Sequence, residues 1–127
     1  MIEGSVTDDG VPQIELMISG STWTAVVDTG FNGDLELPMQ LQESVHAEHL
    51  GSIVSSLAGG QSITEENYDV QIPFDGQTVH AQATFVDADE VLIGTRLLRD
   101  YRLFIDFPAG TVILERMTTS PDGTEFP

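Results

Sequence analysis

The chain has 127 residues, 40% of them hydrophobic, which predicts one globular domain with a core of its own. It contains no cysteine, so disulfides and thiolate metal sites are excluded. Twenty-one acidic residues face four basic ones, all arginine, and the net charge of −17 predicts no binding to nucleic acid or to anionic membrane surfaces.

The same charge bears on where the protein works. An acidic surface without lysine suits a salt-rich cytoplasm, as in a halophile, because a short Debye length screens self-repulsion. An acidic protein of an ordinary cell is the alternative, and the composition leaves both open. The opening residues "MIEGSVTDDG" lack the basic and apolar regions of a signal peptide, and no apolar run reaches membrane-spanning length. A cytoplasmic location is therefore expected.

The first third of the chain alternates apolar and polar residues. Ile14, Leu16 and Ile18 fall on one face, and with the turn "SGST" and the run "WTAVV" they predict a β-hairpin over residues 11–27. "DLELP" predicts a short extended segment. Residues 39–49 contain no glycine and many good helix formers, so a short helix is expected there.

The remainder of the chain predicts three further hairpins. Their turns lie at Ala58-Gly59-Gly60-Gln61, at Asp75-Gly76 and across Pro108-Ala109-Gly110, where glycine permits positive φ. The apolar strand "EVLIG" ends at Gly94, and "TRLLRD" predicts a second short helix. We therefore expect an all-β domain over residues 1–116 and a flexible tail over residues 117–127.

One motif stands out at the end of an apolar run. Ala25, Val26 and Val27 are followed at once by Asp28-Thr29-Gly30, although a carboxylate removed from water costs several kcal/mol unless it is paired or hydrogen-bonded. Asp-Thr-Gly alone is a weak signal, because a turn capped by Asp28 with Gly30 at positive φ would also account for it. Its surroundings add weight, since a glycine-tipped hairpin follows and the apolar strand "VLIG" then ends in glycine.

These pieces, in this order, resemble the retropepsin-like (retroviral-type) aspartic proteases over roughly residues 12–107. In that family a strand such as "SGSTWTAVV" leads into the catalytic "DTG". A glycine-containing flap follows, here near "LAGGQ", and an apolar-apolar-Gly segment then precedes a short helix, here "LIG" and "TRLLRD". The resemblance implies a closed acid-protease-type β-barrel with two short helices and a flap hairpin.

The resemblance also implies an aspartic endopeptidase that needs no metal or organic cofactor. Two carboxylates share one proton because like charges about 3 Å apart cannot both ionise, so one accepts a proton from water while the other donates. The chain has a single "DTG", so a homodimer would supply Asp28 from each copy. By the same resemblance Thr29 would brace the two loops across the interface, and Gly30 would let the backbone approach the substrate.

The implied substrate is a peptide or protein bound as an added strand beneath the flap. The substrate-binding residues expected from the resemblance are Phe31, Asn32, Leu57, Ala58, Gly59, Gly60, Gln61 and Leu92. Any of these could equally be part of the core, and for Leu92 the core is the preferred interpretation.

Two positions depart from the pattern of the family. Many members carry an acidic residue two places after "DTG" and an arginine directly after the later glycine, and these two residues pair. Here the positions hold Asn32 and Thr95, and Arg96 is a hypothetical substitute for that brace. Phe31 stands where retroviral enzymes usually have a small residue, which bears on substrate preference.

Three other interpretations remain open. The chain could be a non-catalytic peptide-binding or dimerisation module that keeps the protease fold, or a subunit that requires a different "DTG" chain. His46 and His49, with Glu43 nearby, could bind a metal, but "HAEH" is not the HExxH arrangement. A solvated helix face explains those histidines better.

Overall fold

Ten strands run through residues 1–117, the part of the chain that the computed structural model describes. They are β1 (Ile2–Val6), β2 (Pro12–Ile18), β3 (Ser21–Val27), β4 (Leu35–Pro38), β5 (His46–Ser56), β6 (Ser62–Phe74), β7 (Gln77–Val86), β8 (Val91–Ile93), β9 (Tyr101–Asp106) and β10 (Thr111–Arg116). The all-β prediction is confirmed for these residues. The predicted tail lies, except for Met117, outside them, and the domain boundary stays a prediction.

All ten strands belong to one mixed sheet in the order β5-β6-β7-β4-β8-β3-β2-β1-β10-β9. The pairs β3–β8 and β4–β7 are parallel, and the remaining neighbours are antiparallel. The prediction of a closed barrel is wrong, because β5 and β9 stand at opposite ends of the order and do not pair with each other. Local alternation fixes which residues form strands but does not fix whether the two edge strands meet.

The predicted hairpins are confirmed. The β2–β3 turn has both Ser19 and Gly20 at positive φ, and the β6–β7 turn has Asp75 and Gly76 there, as expected for tight two-residue connections. The β9–β10 hairpin also turns where predicted, through residues 107–110. The longest hairpin joins β5 to β6 and places paired glycines at positive φ at its tip.

Both predicted helices are wrong. Over residues 39–49 the chain makes only a 3-10 turn, Met39–Leu41, and enters β5 at His46. Pairing with β6 along the whole of β5 overrides the modest helix propensity of this segment. Residues 95–100 form turns and not a helix, and the segment ends with an i to i−3 hydrogen bond from the Tyr101 N–H to the carbonyl of Leu98.

The core follows from the alternation seen in the sequence. Ile14, Leu16 and Ile18 are buried, whereas Glu15 and Met17 between them are exposed. Strand β2 also contacts β6, so the sheet folds over its own buried face. Among the described residues, no helix is long and apolar enough to cross a membrane.

Candidate active site

The segment that contains Asp28 crosses over the end of a strand. β8 lies between β3 and β4 in the sheet, although β3 and β4 are consecutive in the chain. The connection over residues 28–34 must therefore pass the carboxyl end of β8, where Gly94 follows Ile93. Gly94 is buried there, and a Cβ on it would lie 2.1 Å from the carbonyl oxygen of Gly33. Only glycine fits beneath this crossing.

Four backbone hydrogen bonds join the crossing segment to residues 93–96. Asp28 donates its N–H to the carbonyl of Ile93 at 2.9 Å, and Gly94 donates to Asp34 at 3.0 Å. Thr95 and Arg96 donate to the carbonyls of Phe31 and Gly33 at 2.8 and 3.2 Å. The backbone on both sides of the crossing is thus fixed by partners 60 or more positions away in sequence, which holds Asp28 in place.

Asp28 itself is half-buried and lies directly after β3. One carboxylate oxygen accepts the N–H of Gly30 at 2.9 Å, and the carbonyl of Asp28 accepts the N–H of Phe31 at 3.1 Å. Gly30 does not have positive φ, and a Cβ there would make a tight contact of 3.2 Å with the Asp28 carboxylate. Thr29 and Gly30 are exposed. The carboxylate is oriented by the backbone and remains accessible to solvent.

The crossing segment ends in a buried carboxylate, Asp34, that the sequence analysis did not identify. Asp34 is the one buried charged residue among those described, and it accepts the backbone N–H of Gln82 at 2.8 Å. Arg96 lies beside it, with Nε 4.0 Å from the Asp34 carboxylate and Nη1 3.2 Å from the Gln82 side-chain oxygen. Arg96 therefore braces Asp34 within its own chain, while Asn32 is exposed.

A cavity of about 230 Å³ lies beside the crossing segment. It is lined by residues 31–36 without Asn32, by residues 82–84 of β7 and by Arg96. Ile53 and Ser55 of β5, with Glu65 and Asn67 of β6, line the same space, so the arms of the long hairpin face the segment after Asp28.

The predicted site residues divide between this cavity and other places. Phe31 lines the cavity, and its contact with substrate stays a prediction. The exposed hairpin tip, residues 57–61, does not line it, nor does Leu92, which is half-buried in β8 between Val26 and Glu36. Leu57 and Gln61 close the tip through a 2.7 Å backbone hydrogen bond. Whether the tip residues contact substrate stays a prediction.

Glu36 gives this cavity its electrostatic character. Burial raises the pKa of the Glu36 carboxyl above its ordinary value, and the negative charges of Glu65 and Asp28 raise it further. Asp34 and Arg96, which line the same cavity, offset each other's charge. Glu36 and Glu65 are thus like charges that share one small space.

Replacing Glu36 by Gln is expected to stabilise the protein at neutral pH. Because the folded-state pKa is raised, the folded chain binds more protons than the unfolded chain just above pH 4.5, and the free energy of unfolding falls as pH rises through this window. Removing the charge should raise Tm at pH 7 by on the order of 1–2 °C in low salt, since solvent screens this half-exposed group. Thermal melts at pH 4 and pH 7 measure the effect.

The exposed Glu15→Gln on β2 is the matched control, since it removes one charge from a site outside the cavity. The gain from Glu36→Gln should disappear near pH 4, where the wild-type carboxyl is already protonated. An equal gain from both variants would mean that net charge alone, and not the cavity, accounts for the effect.

The histidines considered as metal ligands lie in a strand and not on a helix. His49 on β5 places Nε2 2.9 Å from a Glu66 carboxylate oxygen, which also accepts the Ser52 hydroxyl at 2.9 Å. These hydrogen bonds lower the pKa of the exposed Glu66 carboxyl. Within residues 1–117, no group of three or more ligand-type side chains is positioned to hold a metal ion.

Comparison with solved structures identifies the fold. A retropepsin-like aspartic protease from Rickettsia conorii superposes with a TM-score of 0.62 at 17% identity, covering 89% of this chain and 88% of that one. The protease of simian foamy virus (mac) gives a TM-score of 0.56 at 17% identity, over 68% of this chain and 91% of the viral one. The EIAV protease bound to the inhibitor HBY-793 gives 0.57 at 15% identity, over 76% and 92%.

The structural likeness extends over most of the chain, so the protein has the retropepsin-like fold. No protein-family model and no curated protein sequence matches it. The resemblance inferred from the sequence motifs is therefore confirmed at the level of fold.

Proposed function

We propose that the protein is an aspartic endopeptidase in which two copies of the chain each supply Asp28. The observation that carries this proposal is the placement of the Asp28 carboxylate. It follows β3 at the crossing and is oriented by the Gly30 N–H, and the segment that begins three residues later, at Phe31, lines a cavity faced by the arms of a glycine-tipped hairpin. The retropepsin-like fold supports the same conclusion.

The chemistry requires the two carboxylates to hold different protonation states. The ionised Asp28 accepts a proton from a water molecule, whose oxygen then bonds to the carbon of the scissile carbonyl. The protonated Asp28 of the second copy donates to the carbonyl oxygen and stabilises the charge that develops there. When the carbon–nitrogen bond breaks, the leaving nitrogen takes up the proton that the first carboxylate accepted from water, and the second carboxylate recovers its proton from the former carbonyl oxygen. The titration belongs to the pair, because each carboxylate shifts the other.

Other residues position the substrate and exclude water. Phe31 would form one wall of a side-chain pocket, and Ile53 on the hairpin arm would form another. An extended peptide would lie between the crossing segment and the hairpin and bind as an additional strand. Closure of the hairpin tip, residues 57–61, would shield the reacting water from bulk solvent. Thr29 would contact its own copy across the dimer.

The test is cleavage of a mixed library of extended peptides by the purified chain. The assay spans acid to neutral pH in molar salt, which screens the charge of −17 on each chain. Mass spectrometry should find internal cuts that persist in the presence of a chelator. A peptide with a non-hydrolysable tetrahedral centre in place of the scissile bond should inhibit these cuts, because it mimics the transition state.

Sedimentation of the same sample separates this proposal from its alternatives. An active dimer is expected. A folded dimer that binds peptides and leaves them intact would favour a non-catalytic binding module, and a persistent monomer without activity would favour a requirement for a different partner chain.

A further inference from the structure

The cavity beside the crossing segment carries more negative charge than its own residues neutralise. Its lining contains three carboxylates, those of Asp34, Glu36 and Glu65, and one cation, Arg96. Arg96 is the ion-pair partner of Asp34. Within residues 1–117, no basic side chain lies within 4.0 Å of the Glu36 or Glu65 carboxylate. Two carboxylates therefore line this space without a partner of opposite charge.

Glu36 is held at the cavity by the alternation of β4. Its neighbours Leu35 and Leu37 are buried in the core, so the Glu36 side chain lies on the other face of the strand, where it is half-buried. Burial raises the pKa of its carboxyl, and the charges of Glu65 and Asp28 raise it further. A cation placed beside these carboxylates would remove the repulsion between them.

The other walls of the cavity include apolar side chains. Phe31 of the crossing segment and Ile53 of β5 line it, and Ile53 pairs across the hairpin with Glu65. At about 230 Å³ the space is smaller than the roughly 300–1,000 Å³ of small-molecule sites, so it suits one side chain. A long aliphatic stem that ends in a positive charge matches these walls, because the stem packs on apolar surface while the head group reaches the carboxylates.

The arrangement of the carboxylates favours an organic cation over a metal ion. Within the part of the chain that is described, no three ligand-type side chains are positioned to hold a metal. The buried Asp34 carboxylate offers a further acceptor: one oxygen accepts the Gln82 N–H, and the other lies 4.0 Å from Arg96 Nε, beyond hydrogen-bond distance. An ammonium or guanidinium group carries several N–H donors and can use separate acceptors.

We propose that this cavity is a subsite that selects a lysine or arginine side chain of the peptide substrate, with Glu36 and Glu65 as the residues that determine specificity. The proposal rests on the proposed function, because the peptide would lie between the crossing segment and the hairpin. Glu36 belongs to the short strand β4 and Glu65 to the hairpin, so the basic side chain would contact both when the hairpin closes. The substrate class is a peptide with a basic residue at a fixed distance from the scissile bond.

Cleavage of a matched peptide series tests this preference. In each peptide, lysine replaces norleucine at one position, and norleucine keeps the aliphatic stem but lacks the ammonium group. We expect lysine or arginine to raise kcat/KM about 10-fold at one position relative to the bond that is cut. A general attraction of cationic peptides to the charge of −17 would not depend on position, and molar salt would screen it more than a half-buried pair.

Variants of the two carboxylates assign the preference to the cavity. Glu36→Gln and Glu65→Gln should each lower the ratio of kcat/KM for lysine over norleucine about 3-fold. Glu36→Gln combined with Glu65→Lys should reverse the preference, so that glutamate becomes the favoured residue at that position, which damage to the fold would not produce. Glu15→Gln on β2, outside the cavity, is the matched control and should leave the ratio unchanged.

A binding measurement separates this proposal from the proposed function. Fluorescence anisotropy of the labelled peptides with Asp28→Asn protein measures binding where no bond is cut. Tighter binding of the lysine peptide that depends on Glu36 and Glu65, without cleavage by wild type, would keep the subsite and count against the enzyme. Cleavage with equal kcat/KM for lysine and norleucine at every position, or an equal loss of preference in Glu15→Gln, would overturn the subsite and leave the enzyme in place. Failure to bind or cut any peptide would overturn both.

Discussion

Asp28→Asn is expected to lower kcat/KM for peptide cleavage by about 10³-fold or more, because an amide cannot take a proton from water or hold one to donate. The side-chain oxygen of Asn can still accept the Gly30 N–H, so the turn and the fold should be retained. Because the proposed dimer is symmetric, one substitution removes both carboxylates. Peptide cleavage monitored by mass spectrometry measures the loss.

The exposed Asp9→Asn serves as the control, since it removes the same charge from a turn remote in sequence from the crossing. Equal cleavage by wild type and Asp28→Asn would point to a contaminant or to different chemistry. Subunit mixing sharpens the test. One equivalent of Asp28→Asn added to wild type should remove about half of the activity after random exchange, because mixed dimers hold a single carboxylate.

The second large effect is expected at Gly94. Gly94→Ala should lower the free energy of unfolding by about 3 kcal/mol or more, because the new Cβ would meet the carbonyl oxygens of Gly33 and Phe31 at 2.1 and 2.7 Å. Both are backbone oxygens that accept hydrogen bonds, from the N–H groups of Thr95 and Arg96, so neither can move away without breaking these bonds. Urea unfolding followed by circular dichroism measures the loss.

Gly33→Ala is the matched control for this prediction. Its Cβ would meet only the far edge of the Phe31 ring, at 2.7 Å, and a side chain can rotate away where backbone cannot. We expect a loss of about 1 kcal/mol or less. If Gly94→Ala lowered the free energy of unfolding no more than Gly33→Ala, the packing of residues 28–34 on Gly94 would be less rigid than the hydrogen bonds between them indicate.

Much of the fold could be predicted because its signals are local. Alternation from Ile14 to Ile18 and the glycines of the turns identify strands and hairpins without reference to the rest of the chain. The start of β5, from His46 to His49, could not be assigned in this way. β5 is largely exposed on both faces, so no alternation marks it, and pairing with β6 determines its structure.

The residues of the candidate site differ in the same way: a local signal marks some of them, and only long-range contacts identify others. Asp28 was found because a three-residue motif marks it, whereas Asp34 is marked by nothing nearby. Its partners, Gln82 and Arg96, lie 48 and 62 positions away, and only the fold brings them together. The sequence did single out Arg96 as a substitute for the arginine that the family carries at the position of Thr95, but it gave Arg96 no acidic partner, because Asn32 stands where the family has one. An acidic residue a few positions beyond the motif was the available signal.

The crossing of the chain over β8 also constrains how the protein folds. The hydrogen bonds that fix the segment after Asp28 come from residues around Gly94, with Thr95 and Phe31 separated by 64 positions. Closing so long a loop costs conformational entropy before the contacts between its ends can form. We therefore expect the contacts that shape this region to form late, and their long sequence separation raises the contact order. In a growing chain that ends before β8, the turn that contains Asp28 lacks its hydrogen-bond partners at residues 93–96. The geometry proposed for catalysis therefore requires a chain that has been synthesised beyond Arg96.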